Sequence, residues 1–247
     1  METKEDIIKE YEEQLKLLEP EIKLKNIEAF KEKYTKAIEN AKQKQRISFG
    51  NYKIPETTAI TNMNSWFNCP GRTEDFCDIC QICYDKFREV MSWKVCSSRL
   101  NNEIWFRTHD VGDITYSIAG KILTYNRRNL KNNKRITLHR WNEVGELRNQ
   151  KDLNKVNNIS NLLYMVTGVK SYIYTHNKNL NFDIDRPHLT INGSNFMVDN
   201  EFKCIKPELY DEYVKTHDCY ECLGDCELCN TICSEKNNFT IVEKLRI

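Results

Sequence analysis

The sequence predicts an α/β protein, an open or partial parallel β/α barrel with an N-terminal helical pair and a small cysteine-rich C-terminal metal-binding region. Three observations support this fold class. A strand, a helix and a strand follow one another between residues 135 and 175, glycine-free helical patterns fill residues 1–46, and nine of the 11 cysteines form two short clusters. With 247 residues, the chain is long enough for one or two domains.

Residues 1–46 are expected to form an N-terminal helical segment of two amphipathic helices. The first would end near Leu18, and the second would run from about Glu21 to Lys44. These helices could bind a partner or dimerise, but their apolar stripe is short. Packing against the chain's own domain is therefore favoured. The composition changes at Phe49-Gly50-Asn51, close to the predicted boundary.

Residues 47–206 are expected to form the α/β core, which includes the first cysteine cluster. Strands are predicted at 135–141, 170–175 and 188–192. The order of strand, helix and strand along the chain indicates that the strands pair in parallel. The intervening helix carries an apolar face of Leu153, Val156, Ile159 and Leu163. Ile104-Trp105-Phe106 precedes another helix and is counted toward a further β/α unit. The core would then contain about four β/α elements. Because a closed eight-stranded barrel takes about 250 residues, an open sheet is favoured.

Residues 207–247 form the cysteine-rich C-terminal region. Apart from a strand-like stretch at 239–242, this region has no long apolar periodicity. A segment of this size rarely folds without cross-links or a metal. We therefore expect the cysteines to hold it together.

Charge and motifs exclude several classes of function. The 37 basic and 36 acidic residues leave a net charge of +1, so nucleic acid is not favoured as a partner and no membrane is expected. There is no secretory signal and no apolar run near the ~18 residues of a membrane span, which predicts a cytoplasmic protein with reduced thiols. The common nucleotide, hydrolase and metalloprotease motifs are missing. The substrate, whether small or macromolecular, stays unknown.

The first cluster, C-x7-C-x2-C-x2-C, contains Cys69, Cys77, Cys80 and Cys83. Cys-x2-Cys spacing lets two thiolates reach one ion, and both zinc and iron–sulfur sites use it. Three ligands would leave one iron of a 4Fe-4S cluster open, whereas four would close a structural zinc site. We favour iron–sulfur and keep zinc as the alternative.

The second cluster contains five cysteines with gaps of two, three, two and three residues. They are Cys219, Cys222, Cys226, Cys229 and Cys233. Four of them suffice for one zinc ion or one 4Fe-4S cluster, which leaves a spare thiol. A structural knot that closes the C-terminus and a redox role are both open interpretations.

Polar side chains at the carboxyl ends of the predicted strands are the candidate site residues, since ligands bind there in parallel β/α folds. Arg140, Glu143 and Glu146 are the catalytic candidates, because they could pair with a carboxylate or transfer a proton. Glu143, Tyr174, Asn192 and Ser194 are the cofactor-binding candidates. The alternative is that the glutamates stabilise a helix N-terminus and Arg140 is their ion-pair partner.

Several short motifs, in order, resemble the phage gene product 88 family across residues 47–233. They are Phe49-Gly50-Asn51, Asn68-Cys69-Pro70-Gly71, Cys83-Tyr84, Arg140-Trp141-Asn142-Glu143-Val144-Gly145-Glu146, Tyr174-Thr175 and the late cysteine cluster. This resemblance implies a viral or mobile-element origin, with a host-cell cytoplasmic location, but no established reaction.

The pattern is also similar, more distantly, to radical S-adenosylmethionine enzymes, which place a cysteine cluster ahead of an acidic, glycine-containing turn. That likeness implies a 4Fe-4S cluster on Cys77, Cys80 and one of Cys69 or Cys83, although the spacing differs from C-x3-C-x2-C. It also implies that Glu143 or Glu146 meets the methionine amine of S-adenosylmethionine. The competing hypothesis is a non-catalytic zinc-binding scaffold for protein or nucleic acid.

Overall fold

The computed structural model describes residues 2–17, 27–41, 44–64, 66–74, 77, 83–229 and 231–245. The helices are α1 (Lys4–Lys16), α2 (Ile27–Glu39), α3 (Pro70–Thr73), α4 (Tyr84–Met91), α5 (Trp93–Thr108), α6 (Val111–Arg128), α7 (Gln150–Thr167) and α8 (Pro207–Thr216). The strands are β1 (Ser48–Phe49), β2 (Thr58–Thr61), β3 (Leu138–Trp141), β4 (Lys170–Thr175), β5 (Leu189–Ser194), β6 (Asn200–Ile205), β7 (Tyr220–Glu221) and β8 (Thr240–Lys244). Short 3₁₀ helices lie at Trp66–Asn68, Leu130–Asn132 and Ile232–Ser234.

The described strands form one open sheet in the order β1-β2-β3-β4-β5-β6-β8-β7. Only the β1–β2 pair is antiparallel, and every other pair in this sheet is parallel. The prediction of an open, mainly parallel α/β fold is therefore confirmed. The cysteine-rich region contributes β7 and β8 to the same sheet.

An unusually short connection joins the parallel strands β5 and β6. Asn192 pairs with Asn200, only eight residues further along the chain, whereas a parallel crossover ordinarily needs a dozen residues or more. The turn uses Asn195 with a positive φ of 64°. It folds back over Gly193, where a Cβ atom would lie 2.3 Å from the carbonyl oxygen of Phe196. This position therefore requires glycine.

Helices cover one face of the sheet. Trp141, Ile173 and Ile191 point to this face and share a buried apolar cluster with α6 and α7. The predicted apolar face of α7 is confirmed, because all four of its predicted residues are buried. This cluster is the main core, and it fixes β3, β4 and β5 side by side.

The cysteine-rich segment packs against the opposite face. Tyr172, next to Ile173 on β4, points the other way and contacts a cluster containing Cys233 and Ile241. Near β2, Cys226 packs against Ile60 in a second small cluster. The sheet thus has helices on one face and thiols on the other.

The N-terminal helices pack against the chain's own α5 and the Trp66–Asn68 turn. Phe67 anchors both helices, with ring centroids 5.9 Å from Tyr11 and 4.3 Å from Tyr34. The helix ends predicted at Leu18 and Glu21 lie outside the described residues. The predicted end at Lys44 was wrong, since α2 ends at Glu39 and Lys44 is not helical. Counting Ile104-Trp105-Phe106 toward a β/α unit was wrong, since these residues lie within α5.

Across the described ranges, we find no helix that combines the length and apolar character needed to cross a bilayer.

Candidate functional site

The carboxylate of Glu146 accepts three hydrogen bonds. The hydroxyl of Thr175 donates to its Oε1 at 2.6 Å, the amide of His176 donates to Oε2 at 2.6 Å, and the amide of Leu147 donates to Oε1 at 2.7 Å. Burial raises the pKa of this carboxyl to about 7, although the three hydrogen bonds lower it. Glu146 therefore sits at the carboxyl edge of β3 and β4 with a pKa suited to holding or releasing a proton near neutrality.

Asparagine side chains fix the turn that carries Glu146. Oδ1 of Asn64 accepts the amide of Glu146 at 3.1 Å, and Oδ1 of Asn142 accepts the amide of Met63 at 3.0 Å. Between them, Gly145 has a φ of +99°, and a Cβ there would lie 1.9 Å from the Met63 carbonyl oxygen. The turn after β3 is therefore locked against the turn after β2, which leaves the Glu146 carboxyl little freedom.

Two further thiols of the first cluster and the Glu146 carboxyl act electrostatically on the Cys69 thiol. The Cys69 residue is partly exposed, but its sulfur is enclosed by protein, and this burial raises the pKa of the thiol. The negative charges of Glu146, Cys83 and Cys77 raise that pKa further, which requires each of these groups to lie within electrostatic range of Cys69. Cys80, the fourth predicted ligand, lies outside the described residues.

The local backbone around Cys69 suits a thiolate. Cys69 caps α3, Pro70 occupies the first turn, and the backbone amide of Gly71 donates to the Cys69 sulfur, which lowers the pKa of the thiol. The amide of Cys77 returns to the Gly71 carbonyl oxygen at 3.1 Å. Amide donors of this kind stabilise the charged form of sulfur, which is the form that binds metal.

Four of the five C-terminal thiols form a second group on the opposite face of the sheet. Burial raises the pKa of Cys226 to about 12, and the negative charges of Cys233, Cys229 and Cys222 raise it as well. For Cys219, burial is again the first cause of a raised pKa, but the charges acting on it are those of Glu221 and Asp218. Cys219 is therefore separated from the group electrostatically.

Backbone hydrogen bonds tie this second group to the sheet. The amide of Cys222 donates to the carbonyl oxygen of Val242 at 2.7 Å. The amide of Cys226 donates to the carbonyl oxygen of Lys53 at 3.0 Å. The amide of Gly224 also donates to the Cys222 sulfur and lowers its pKa. Cys222-Leu-Gly224 thus repeats the amide-to-sulfur contact of Cys69-Pro-Gly71.

Arg140 and two of the predicted cofactor-binding residues lie with the second group, away from Glu146. The Arg140 guanidinium stands 4.8 Å from the ring centroid of Tyr174, and the positive charge lowers the pKa of Cys226 and Cys233. The Tyr174 hydroxyl bonds to the Cys233 sulfur. Asn192 is fully buried and donates to the Cys233 carbonyl oxygen at 2.9 Å.

The remaining candidates lie elsewhere. Ser194 is buried at the end of β5. Glu143 accepts a 2.9 Å hydrogen bond from Nδ2 of Asn51, lies 3.9 Å from Arg88, and lines a cavity of about 790 Å³. Apart from Ser194 and Cys219, the predicted residues that the structure describes therefore divide among three locations, which are the first thiol cluster, the second thiol group and this cavity.

A buried acidic network beside the first cluster is invisible in the sequence. Glu103 of α5 accepts a 2.6 Å hydrogen bond from Asn68, the neighbour of Cys69. Arg107 pairs with Glu103 at 3.3 Å and also with Glu10. Charged residues in an α-helix usually face solvent, so no local signal marks these as buried.

The donor chemistry fits a soft metal ion or cluster, because each group consists of thiols with an amide donor to sulfur. Within the described ranges, no three His, Cys, Asp or Glu side chains are arranged closely enough to hold a metal ion. A coordination sphere would therefore need the thiols to draw together, and at the first cluster Cys80 would complete it.

Comparison with known proteins gives one match. No curated protein matches the chain, and no solved structure matches it. The family model described as Gene product 88 matches residues 25–198, which is more than half of the sequence. The match includes the first thiol cluster and the turn around Glu146, while Cys219 and the thiols after it lie beyond its end. This chain belongs to the gene product 88 family.

Proposed function

We propose that the protein binds an iron–sulfur cluster through Cys69, Cys77, Cys80 and Cys83. The observation that carries this proposal is that the charges of Cys77, Cys83 and Glu146 all act on the enclosed Cys69 thiol at the carboxyl edge of a parallel sheet. Thiolates at two-residue gaps are the ligand pattern that such clusters use. The edge is also where parallel α/β proteins bind their ligands.

A second centre on Cys222, Cys226, Cys229 and Cys233 is part of the proposal. The mutual influence of these thiols on the pKa of Cys226 supports it, as does the separation of Cys219. Arg140 would offset part of the negative charge of four thiolates, and Tyr174 would donate to one sulfur. These contacts resemble the outer hydrogen bonds that tune metal-bound thiolates elsewhere.

When bound, an iron–sulfur cluster supplies one-electron transfer. The chain's own contribution at the first site would be the Glu146 carboxyl, held in place by Thr175 and the His176 amide. With a pKa near 7, that carboxyl could hold a proton or accept one from a bound substrate. We extend the proposal to a radical S-adenosylmethionine-like enzyme, in which Glu143 or Glu146 would meet the methionine amine.

A non-catalytic zinc-binding scaffold is the second candidate. Cys226 and Cys233 pack into apolar clusters on the sheet, as ligands of a structural site do. A closed tetrahedron of four thiolates would stabilise the C-terminal segment without any reaction. Metal identity distinguishes the two candidates, because zinc sites contain neither iron nor sulfide.

Cysteine variants of the whole chain, purified without oxygen, test the proposal. Cys69→Ala should lose up to half of the bound iron and acid-labile sulfide, because it removes a ligand of one of two centres. Cys96→Ala is the matched control, since this buried cysteine of α5 belongs to neither cluster. Equal iron and sulfide in Cys69→Ala and wild-type protein would refute Cys69 as a ligand of a cluster at the first site.

A further inference from the structure

We propose that the cavity between β1, β2, α4 and α5 binds a small organic anion, with a phosphate, carboxylate or sulfonate on an apolar body. This inference goes beyond the proposed function, because it rests on the cavity and on no metal. The volume of the cavity, about 790 Å³, lies within the usual range for small-molecule sites.

The floor of the cavity is apolar. Ile47, just before β1, and Ile60 of β2 line one side of it, while Met91 and Val95 line it from α4 and α5. Met91 is 82% exposed although it is a large apolar side chain. An exposed methionine beside buried aliphatic carbon is the kind of surface that accepts an apolar ligand body.

Cations surround this floor. Arg46, Arg88 and Lys94 are exposed lining residues, and Glu143 is the one acidic residue among the lining residues described. The carboxylate of Glu143 already accepts a hydrogen bond from Asn51 and lies near Arg88. The mouth of the cavity therefore has a net positive charge, which favours an anionic group on the ligand.

The positive field extends beyond the cavity. The pKa of Lys121 is lowered by burial and by the positive charges of Lys44 and Arg46. Cations are thus concentrated on this side of the sheet although the whole chain carries a net charge of only +1. Local concentration of one sign in a nearly neutral protein is typical of a surface that attracts an opposite charge.

The cavity is also close in sequence to the first thiol cluster and to Glu146. Arg88 and Met91 lie on α4, which begins directly after Cys83, and Glu143 stands three residues before Glu146. A ligand in the cavity would therefore contact α4 and Glu143, which are sequence neighbours of the first thiol cluster and of Glu146.

Two fluorescent probes separate the charge from the apolar body. The probes are 8-anilinonaphthalene-1-sulfonate, which is anionic, and N-phenyl-1-naphthylamine, which has a similar apolar body without the sulfonate. The double variant Arg46→Gln/Lys94→Gln should weaken binding of the sulfonate about three- to tenfold and leave the neutral probe unchanged. Met91→Ala should weaken both probes.

The control is Lys215→Gln on α8, which packs against β6 and β8 at the far end of the sheet. It removes an exposed cation and should change neither affinity. The proposal is overturned if the wild-type protein binds no sulfonate probe, or if the double variant binds it as tightly. Equal weakening of the neutral probe by the double variant would also overturn it. Unfolding midpoints and iron content are measured on the same samples. They distinguish a loss of probe binding from a loss of folding or of bound metal.

Discussion

Oγ1 of Thr175 donates a 2.6 Å hydrogen bond to Oε1 of Glu146, joining the carboxyl end of β4 to the turn after β3. The same hydroxyl accepts the amide of Asn177 at 3.0 Å. Both strands belong to one parallel pair, so this contact sets the position of the acid relative to the sheet. The geometry around Glu146 is therefore a property of two strand ends and not of a single loop.

Thr175→Val should raise the pKa of Glu146 above its present value of about 7, because the hydroxyl hydrogen bond stabilises the charged carboxylate. One lost hydrogen bond corresponds to a shift of roughly one pH unit. The pKa can be followed by ¹³C NMR of the glutamate carboxyls. Thr175→Ser keeps the hydroxyl and should titrate like the wild type, and a Val variant that does the same would contradict the assigned contact.

Gly145→Ala should lower the free energy of unfolding by more than about 2 kcal/mol, since the residue has a φ of +99° and its Cβ would meet the Met63 carbonyl. Gly120→Ala is the matched control. Gly120 lies inside α6 with no atom within 4 Å of the added Cβ, so alanine there should be neutral or stabilise by up to about 1 kcal/mol. Urea unfolding of the two variants checks this, and equal effects would disprove the packing of the turn.

His139 should make the protein less stable in acid. Burial lowers the pKa of this imidazole from 6.5 to about 3, while Nε2 lies 2.9 Å from the Thr61 hydroxyl. Between these pH values the unfolded chain binds a proton that the folded chain excludes, so the contribution of His139 is present above pH 6.5 and is lost toward pH 3. The loss amounts to at most about 5 kcal/mol.

His139→Gln cannot take up that proton. Its free energy of unfolding should therefore fall less steeply between pH 6.5 and pH 4 than that of the wild type. Urea unfolding at a series of pH values gives both slopes. Parallel curves for the two proteins would show that His139 does not carry this part of the acid sensitivity.

Cys219 should be the spare thiol of the second group. Cys219→Ser is expected to keep all bound metal, whereas Cys226→Ser should lose up to half of it, because Cys226 is the thiol on which the other three act. Metal content per chain measures both variants. Loss of metal from Cys219→Ser, with retention in Cys226→Ser, would reverse the ligand assignment.

The elements with strong periodicity could be predicted from sequence, and those with mixed or very short patterns could not. The predicted strand at 170–175 has the bounds of β4, and the apolar face of α7 is clear in the sequence. β6 was not predicted, because its polar–apolar alternation covers only Glu201 to Cys204 and its connection from β5 is shorter than a parallel crossover ordinarily allows. The four residues of β2 are too few to show a period, although all of them are buried.

The candidate site was visible in its parts but not in its arrangement. Clustering revealed the cysteines, and the strand-end rule revealed Glu146. Arg140 and Tyr174 face the second thiol group for two reasons. Side chains alternate between the two faces of a strand, and the segment that carries Cys233 packs on their face although it is far away in sequence. The asparagine contacts that fix the Glu146 turn are likewise long-range, and no local pattern encodes them.

The most direct test of the central claim is the iron and acid-labile sulfide content of the wild-type chain purified without oxygen. The account predicts iron and sulfide in matching amounts, bound through the two thiol groups. Stoichiometric zinc with neither iron nor sulfide would contradict it and would favour the zinc scaffold instead.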